Sequence, residues 1–204
     1  MLDAALIKDC ADPSLKPAIV EQFVTAAASA DPLAVTVRSG GRLILVPKAR
    51  SPDEAMDIVR QYAGKAVVRV GLTQFPAGVG VKDPADLKPD LVDACQNLRM
   101  GTVMFAKIMR IVAKWYGNPK SADAFPQIFE DAVFAWKTGE FEGVSVFQAE
   151  DPGGPITNQA EPNDGGETEP ADEETPAQTD VEPRESQEVG KAEMRIDLSR
   201  IGGK

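Results

Sequence analysis

The stretch Val92-Asp93-Ala94-Cys95-Gln96-Asn97-Leu98-Arg99-Met100-Gly101, continuing through Thr102-Val103-Met104-Phe105 to Trp115, decides how the rest of the chain is read. Apolar or small residues recur at Leu98, Gly101, Phe105, Ile108, Val112 and Trp115, and Met104 and Ile111 widen the stripe. That spacing predicts one long helix buried over most of its circumference, with Lys107, Arg110 and Lys114 as its wet face. A helix of this kind is the central element of an α-rich core.

Working outward, Leu2 to Cys10 has the pattern of a short amphipathic helix stopping before Pro13. Pro17 suits a helical first turn, and Ile19, Val20, Phe23, Val24 and Ala27 give the stripe of a second helix to about Ala30. Asp31-Pro32 ends it, because the residue before a proline is pushed out of the α region. Leu33–Val37 and Leu43–Val46 are short extended runs joined across Ser39-Gly40-Gly41, a hairpin signal. Ser51-Pro52-Asp53-Glu54 is a capping box that opens a helix to about Tyr62. Ala66 to Phe75 begins apolar and turns polar, and Pro76 to Pro89 reads as a long loop. Phe125, Ile128, Phe129, Ala132, Val133 and Trp136 predict a last helix, closed by Thr138-Gly139.

Charge divides the 204 residues unevenly. Of the net charge of -10, residues 151–190 carry 12 acidic side chains against Arg184, together with six prolines and no aromatic residue. Burial cannot offset chain entropy in such a segment, and the expectation is disorder. Residues 1–150 hold 17 basic and 18 acidic side chains. This near-neutral balance argues against direct nucleic-acid binding through a clustered basic face. The expected organisation is a domain over 1–149, an acidic disordered linker over 150–190, and a short motif over 191–204. Met194-Arg195-Ile196-Asp197-Leu198-Ser199-Arg200-Ile201 restores apolar and basic residues, so the motif is a candidate docking peptide or a tail that simply stops.

The chain has no histidine, which removes Ser-His and Cys-His nucleophiles and the commonest transition-metal ligand. Cys10 and Cys95 cannot form a structural zinc site alone, so neither metal nor cofactor is expected. The two cysteines are a candidate disulfide whose formation depends on compartment. Met1-Leu2-Asp3 carries an acid where a signal peptide wants a base, and no run reaches membrane-spanning length. The sequence as it stands predicts a cytoplasmic protein with reduced thiols and no membrane span, and a periplasmic one if the true start lies upstream.

Three segments, in order, resemble the landmarks of the lysozyme-like lytic transglycosylase domain that accompanies type IV secretion systems. Val70-Gly71-Leu72-Thr73-Gln74-Phe75 resembles that family's Gly-Leu-Met-Gln segment, and Asp93-Ala94-Cys95-Gln96-Asn97-Leu98-Arg99-Met100-Gly101 resembles its Asp-Pro-Cys-x-Asn-Leu-x-x-Gly. Ala132-Val133-Phe134-Ala135-Trp136-Lys137-Thr138-Gly139 resembles the Ala-Leu-x-Ala-Tyr-Asn-x-Gly that closes the saccharide cleft. The chain as a whole also resembles the TraH-type conjugal transfer proteins. The resemblance implies a mainly α (α+β), lysozyme-like fold with a small β-hairpin. It also implies a saccharide cleft containing Gly71, Gln74, Trp136 and Lys137, with conjugation proteins and peptidoglycan as partners.

The chemistry that the resemblance implies needs one glutamate, which protonates the glycosidic oxygen and then acts as base. Where the family has Glu-Ser-Gly-Gly-Asn-Pro-Leu-Ala, this chain has Ala27-Ala28-Ser29-Ala30-Asp31-Pro32-Leu33-Ala34. The acid position is Ala27, and Thr73, Trp136 and Lys137 also depart from the family. The expectation is a pseudoenzyme that serves conjugal transfer as a binding or scaffold component, with Gln74 and Trp136 as candidate sugar contacts. Trp136 lies on a helix stripe, where a tryptophan is more often core than a sugar contact. The alternatives are an active lytic transglycosylase using Glu21 or Glu54 as a relocated acid, or a chain whose acidic tail is the working part.

Overall fold

A computed structural model of the chain describes residues 2–27 and 29–156. The acidic segment beyond residue 156 and the terminal motif at 191–204 lie outside the described residues, as do the expectations placed on them.

Among the described residues, five α-helices and six short strands make a mixed α+β domain. Helix α1 (Ala4–Cys10) is capped by Asp3, whose carboxylate accepts the Ala5 N–H at 2.8 Å. Helix α2 (Pro17–Ala27) opens on proline and buries Ile19, Val20, Phe23 and Val24. Strands β1 (Val35–Ser39) and β2 (Arg42–Ile44) form the expected hairpin, with Gly40 and Gly41 both at positive φ in the turn. Helix α3 (Pro52–Tyr62) starts at Ser51, whose hydroxyl accepts the Glu54 N–H. The Glu54 carboxylate reaches back to the Arg50 N–H, one residue further out than in a standard capping box.

The sheet is larger than the hairpin expected from sequence. β3 (Val67–Val70) pairs antiparallel with β1, and β4 (Phe75–Pro76) pairs with β3, giving the order β2-β1-β3-β4. The apolar, β-branched start of the stretch from Ala66 is a weak strand signal, because β3 is only four residues long and its partner is some thirty residues away. The loop from Pro76 to Pro89 contains a 3-10 turn at Pro84–Asp86, and a second follows at Pro89–Leu91.

Helix α4 (Ala94–Trp115) is the predicted long helix, 22 residues capped by Asp93. It packs against α1 and against α5 (Phe125–Thr138), and α2 in turn packs on α5. The centre of the core is aromatic: Phe23 stacks on Phe105 at 4.0 Å, and Trp136 meets Phe23 edge-on at 5.1 Å. A disulfide joins Cys10 at the end of α1 to Cys95 in the first turn of α4, across 85 residues of sequence. Thr102, buried on α4, accepts the Asp12 N–H at 2.9 Å and so fixes the chain just past that bridge.

Two expectations for α4 are corrected. Trp115 leaves the buried stripe and is 57% exposed, because the helix outruns the core at its last turn. Lys107 and Arg110 are half-buried, because the chain after α5 folds back over them. α5 ends at Gly139, whose N–H donates to the Ala135 carbonyl at φ 86°, and a hairpin of β5 (Glu140–Phe141) and β6 (Val144–Ser145) follows. Lys107 Nζ then donates to the Phe147 and Ala149 carbonyls at 3.0 and 2.9 Å. Arg110 grips Asp151 with two bonds of 2.7 and 2.5 Å. Asp151, placed by composition in the acidic linker, is therefore anchored to the domain.

Candidate functional site

The three segments that resemble the transglycosylase landmarks meet in space. The turn between β3 and β4 carries Gly71, Leu72, Thr73 and Gln74, all buried or nearly so. Asn97, in the first turns of α4 and with no exposed surface, reads this turn from below. Its Oδ1 accepts the Thr73 N–H and hydroxyl, both at 2.9 Å, and its Nδ2 donates to the Val70 and Leu91 carbonyls at 3.0 and 2.8 Å. All four contacts are buried, so one amide ties the 70–73 turn to the chain at Leu91.

The glycines in these segments are small for a reason. Gly71 sits at φ 76°, and a Cβ there would overlap the Asn97 side chain; a Cβ on Gly101 would overlap Thr73. α4 can approach the β3–β4 turn this closely only with glycine at both points. From the other side, Trp136 on α5 donates its Nε1–H to the Thr73 carbonyl at 3.1 Å. The 71–74 turn is thus fixed from α4 and α5 together. The α2–β1 connection closes the arrangement: Ser29 N–H donates to the Leu72 carbonyl and Gly71 N–H to the Ala34 carbonyl, at 3.1 and 2.8 Å.

Above this framework lies a cavity of about 350 Å³. Ala27, Gln74, Trp136 and Lys137 line it together with Arg38 and Arg69. Gly71 is absent from the lining and serves beneath it, against Asn97. Trp136 is fully buried, so of the two roles open to it the ring fills the core one and offers no face to a sugar. Gln74 takes a left-handed backbone at φ 51°, unusual for a residue with a side chain. Its Nε2 donates to the Gly71 carbonyl at 3.1 Å, which helps hold that shape.

Arg69 is the residue that sequence reasoning missed. It crosses from β3 to the C-terminal end of α5, where its guanidinium donates to the Trp136 and Lys137 carbonyls at 2.6 and 3.0 Å, and to the Gln74 carbonyl at 3.2 Å. Those helix-end carbonyls carry partial negative charge, a favourable place for a cation. Burial lowers the Arg69 pKa to about 10, with neighbouring Arg38 pushing the same way. The group remains charged at neutral pH. A signal was present in the alternation of Val68 and Val70 with Val67 and Arg69, which turns Arg69 away from the core side of a strand.

None of the ten lining residues is acidic. Glu21 is exposed on a different face of α2, beside Gln22 and Phe129, and Glu54 is used at the start of α3. Neither candidate for a relocated acid reaches the cavity. Among the described residues, no group of three Cys, Asp or Glu is arranged to hold a metal ion, and no helix is long and apolar enough to cross a membrane.

The family model TraH_2 matches residues 1–203 of the chain. A curated relative, the uncharacterized protein y4dP of Sinorhizobium fredii (strain NBRC 101917 / NGR234), is 70% identical over 203 residues, with all of both chains covered. No solved structure matches the chain.

Proposed function

The chain belongs to the TraH_2 family, of the TraH-type conjugal transfer proteins, and from that premise we propose that it serves plasmid transfer as a binding module without enzymatic activity. Its domain is a degenerate lytic transglycosylase that keeps the framework of the saccharide cleft and has lost the acid. The observation that carries this reading is the cavity itself. Ala27 lines it, beside Gln74 and Lys137, and none of its lining residues is a carboxylic acid. A general acid missing from its place forfeits on the order of 10²–10⁴-fold in rate.

The cations of the cavity argue the same way. A transglycosylase needs a glutamic acid held protonated, with its pKa raised. Arg38, Arg69 and Lys137 would pull the pKa of any acid there downward. The site is set up for binding an anion rather than for donating a proton.

The Cys10–Cys95 disulfide supports a working place in an oxidising compartment, where peptidoglycan and the outer parts of a transfer apparatus are reached. This reading runs against the cytoplasmic location that the N-terminal residues suggest. Thiol alkylation of protein taken directly from its native cells, followed by mass measurement, tests it: free thiols at both positions would overturn the compartment.

Catalysis is tested by incubating purified protein with peptidoglycan and analysing the soluble products. The expected result is no anhydro-muropeptide from the unmodified protein. Ala27→Glu is expected to restore weak activity at most, because the neighbouring cations keep the new carboxyl ionised. Turnover by the unmodified protein would sink the non-catalytic reading.

A further inference from the structure

The register of the sheet sorts its side chains cleanly. Thr36 pairs with Arg69 and Arg38 with Val67, so these four share one face of the β1–β3 ladder. Val35, Val37, Val68 and Val70 share the other, and pack into the core. The outward face of the sheet therefore carries two arginines, placed diagonally across neighbouring strands. Lys137, in the last turn of α5, adds a third cation to the same cavity.

Among the described residues none of these three cations takes part in an ion pair; the ion pairs there join Lys48 to Asp31, Arg60 to Asp57 and Arg110 to Asp151. Arg69 has a structural role, tying β3 to the end of α5. Arg38 and Lys137 differ from it, since neither makes a side-chain hydrogen bond among the described residues. The cavity also opens onto a groove of about 610 Å³ that shares Arg38, Val67 and Arg69 and adds Lys65, with Glu140 its one acidic side chain. Three cations converge on an open cavity without a counter-charge, and the space continues past them.

We propose that this cavity is a carboxylate-recognition site: Arg38, Arg69 and Lys137 take an acidic group of a ligand whose remainder lies along the groove over β1 and β3. The inference rests on the binding-module reading and deepens it. With Trp136 buried beneath the cavity, a peptidoglycan fragment is held by the carboxylates of its peptide stem and not by stacking of its sugar rings. The Arg38 guanidinium can match a carboxylate with paired, charge-assisted hydrogen bonds, while Arg69, whose donors are largely held by the Gln74, Trp136 and Lys137 carbonyls, contributes mainly its charge at the base of the cavity. A free dicarboxylic acid carries the same chemistry on a smaller body.

Titration calorimetry on the full-length disulfide-bonded protein tests this with three probes: a disaccharide-tetrapeptide muropeptide, the neutral tetramer of N-acetylglucosamine, and succinate. The comparison protein carries Arg38→Gln and Lys137→Gln, both at exposed positions, and its unchanged thermal unfolding reports that the fold is intact. The expected result is muropeptide binding that weakens with salt and falls at least about tenfold in the double variant, with little binding of the neutral tetramer. Succinate binding that the variant abolishes, without muropeptide binding, upholds the carboxylate site and removes the peptidoglycan reading. Equal binding of muropeptide and neutral tetramer, unaffected by the variant, overturns the carboxylate site and leaves glycan binding in place. Failure of both acidic probes to bind overturns it as well.

Discussion

Asn97 shows what a single residue can fix. Its amide serves Thr73, Val70 and Leu91 at once, with no exposed surface of its own. Asn97→Ala leaves four buried groups without that partner, and is expected to lower stability by about 3 kcal/mol or more, read by urea unfolding. The glycines provide a sharper comparison. Gly71 and Gly64 have nearly the same left-handed φ, 76° and 77°, but a Cβ at Gly64 meets open space. Gly64→Ala carries only the backbone cost of about 1–2 kcal/mol. Gly71→Ala adds the overlap with Asn97 and is expected to cost clearly more; equal losses at the two positions would show that the close packing of α4 on the turn does not matter. These roles were only half visible beforehand. A buried asparagine and a glycine on an apolar helix stripe are ordinary by periodicity, and only the resemblance to the transglycosylase segments singled them out. Arg69 was hidden because its partners, the last carbonyls of α5, lie 67 and 68 residues further along the chain.

Elements were legible where their signals are local. α3 begins at Pro52 and α5 closes at Gly139 because the cap residues act on their own neighbours. β3 depends on a distant partner, so the sheet was underestimated. The same limit applied to α4, whose basic residues suggested a solvated face. Lys107 and Arg110 instead hold the returning chain between Phe147 and Asp151. The hydrogen bond from Arg110 keeps the Asp151 carboxyl below its ordinary value of 3.8, helped by the Gly153 N–H. A carboxylate with a depressed folded pKa stabilises above its unfolded value, and that contribution is lost as pH falls through the folded one. The clasp is therefore complete well above pH 3.8 and releases below it. Asp151→Asn is expected to cost about 1 kcal/mol at neutral pH, since Asp151 is 41% exposed and screened by solvent. The difference between the two proteins should vanish in strong acid. Hydrogen exchange at Val146 and Ala149 follows the clasp directly, and a difference that persisted at low pH would argue against the ion pair as its cause.

At the scale of the whole molecule, the disulfide does what no single element does. It ties α1 to α4 across 85 residues, and the enclosed chain includes α2, the sheet and the 71–74 turn. Composition could name the two cysteines but not decide their state, because pairing requires the ends of two helices to meet, 5.2 Å apart at Cα. In the chain-entropy model a loop of this length removes freedom from the unfolded state worth about 4–5 kcal/mol. A small domain typically has only about 5–15 kcal/mol in all, so the bridge accounts for a large share. The double variant Cys10→Ser, Cys95→Ser is expected to unfold at much lower urea concentration than the oxidised protein. Reductant should shift the unmodified protein to the same midpoint and leave the variant untouched. The cavity draws on both sides of this loop, with Ala27, Arg38 and Arg69 lining it from inside and Trp136 and Lys137 from α5 outside. Reduced protein should therefore lose ligand affinity under mildly denaturing conditions where oxidised protein keeps it. If both forms bound equally there, the bridge would be a stabiliser of α1 alone and not of the site.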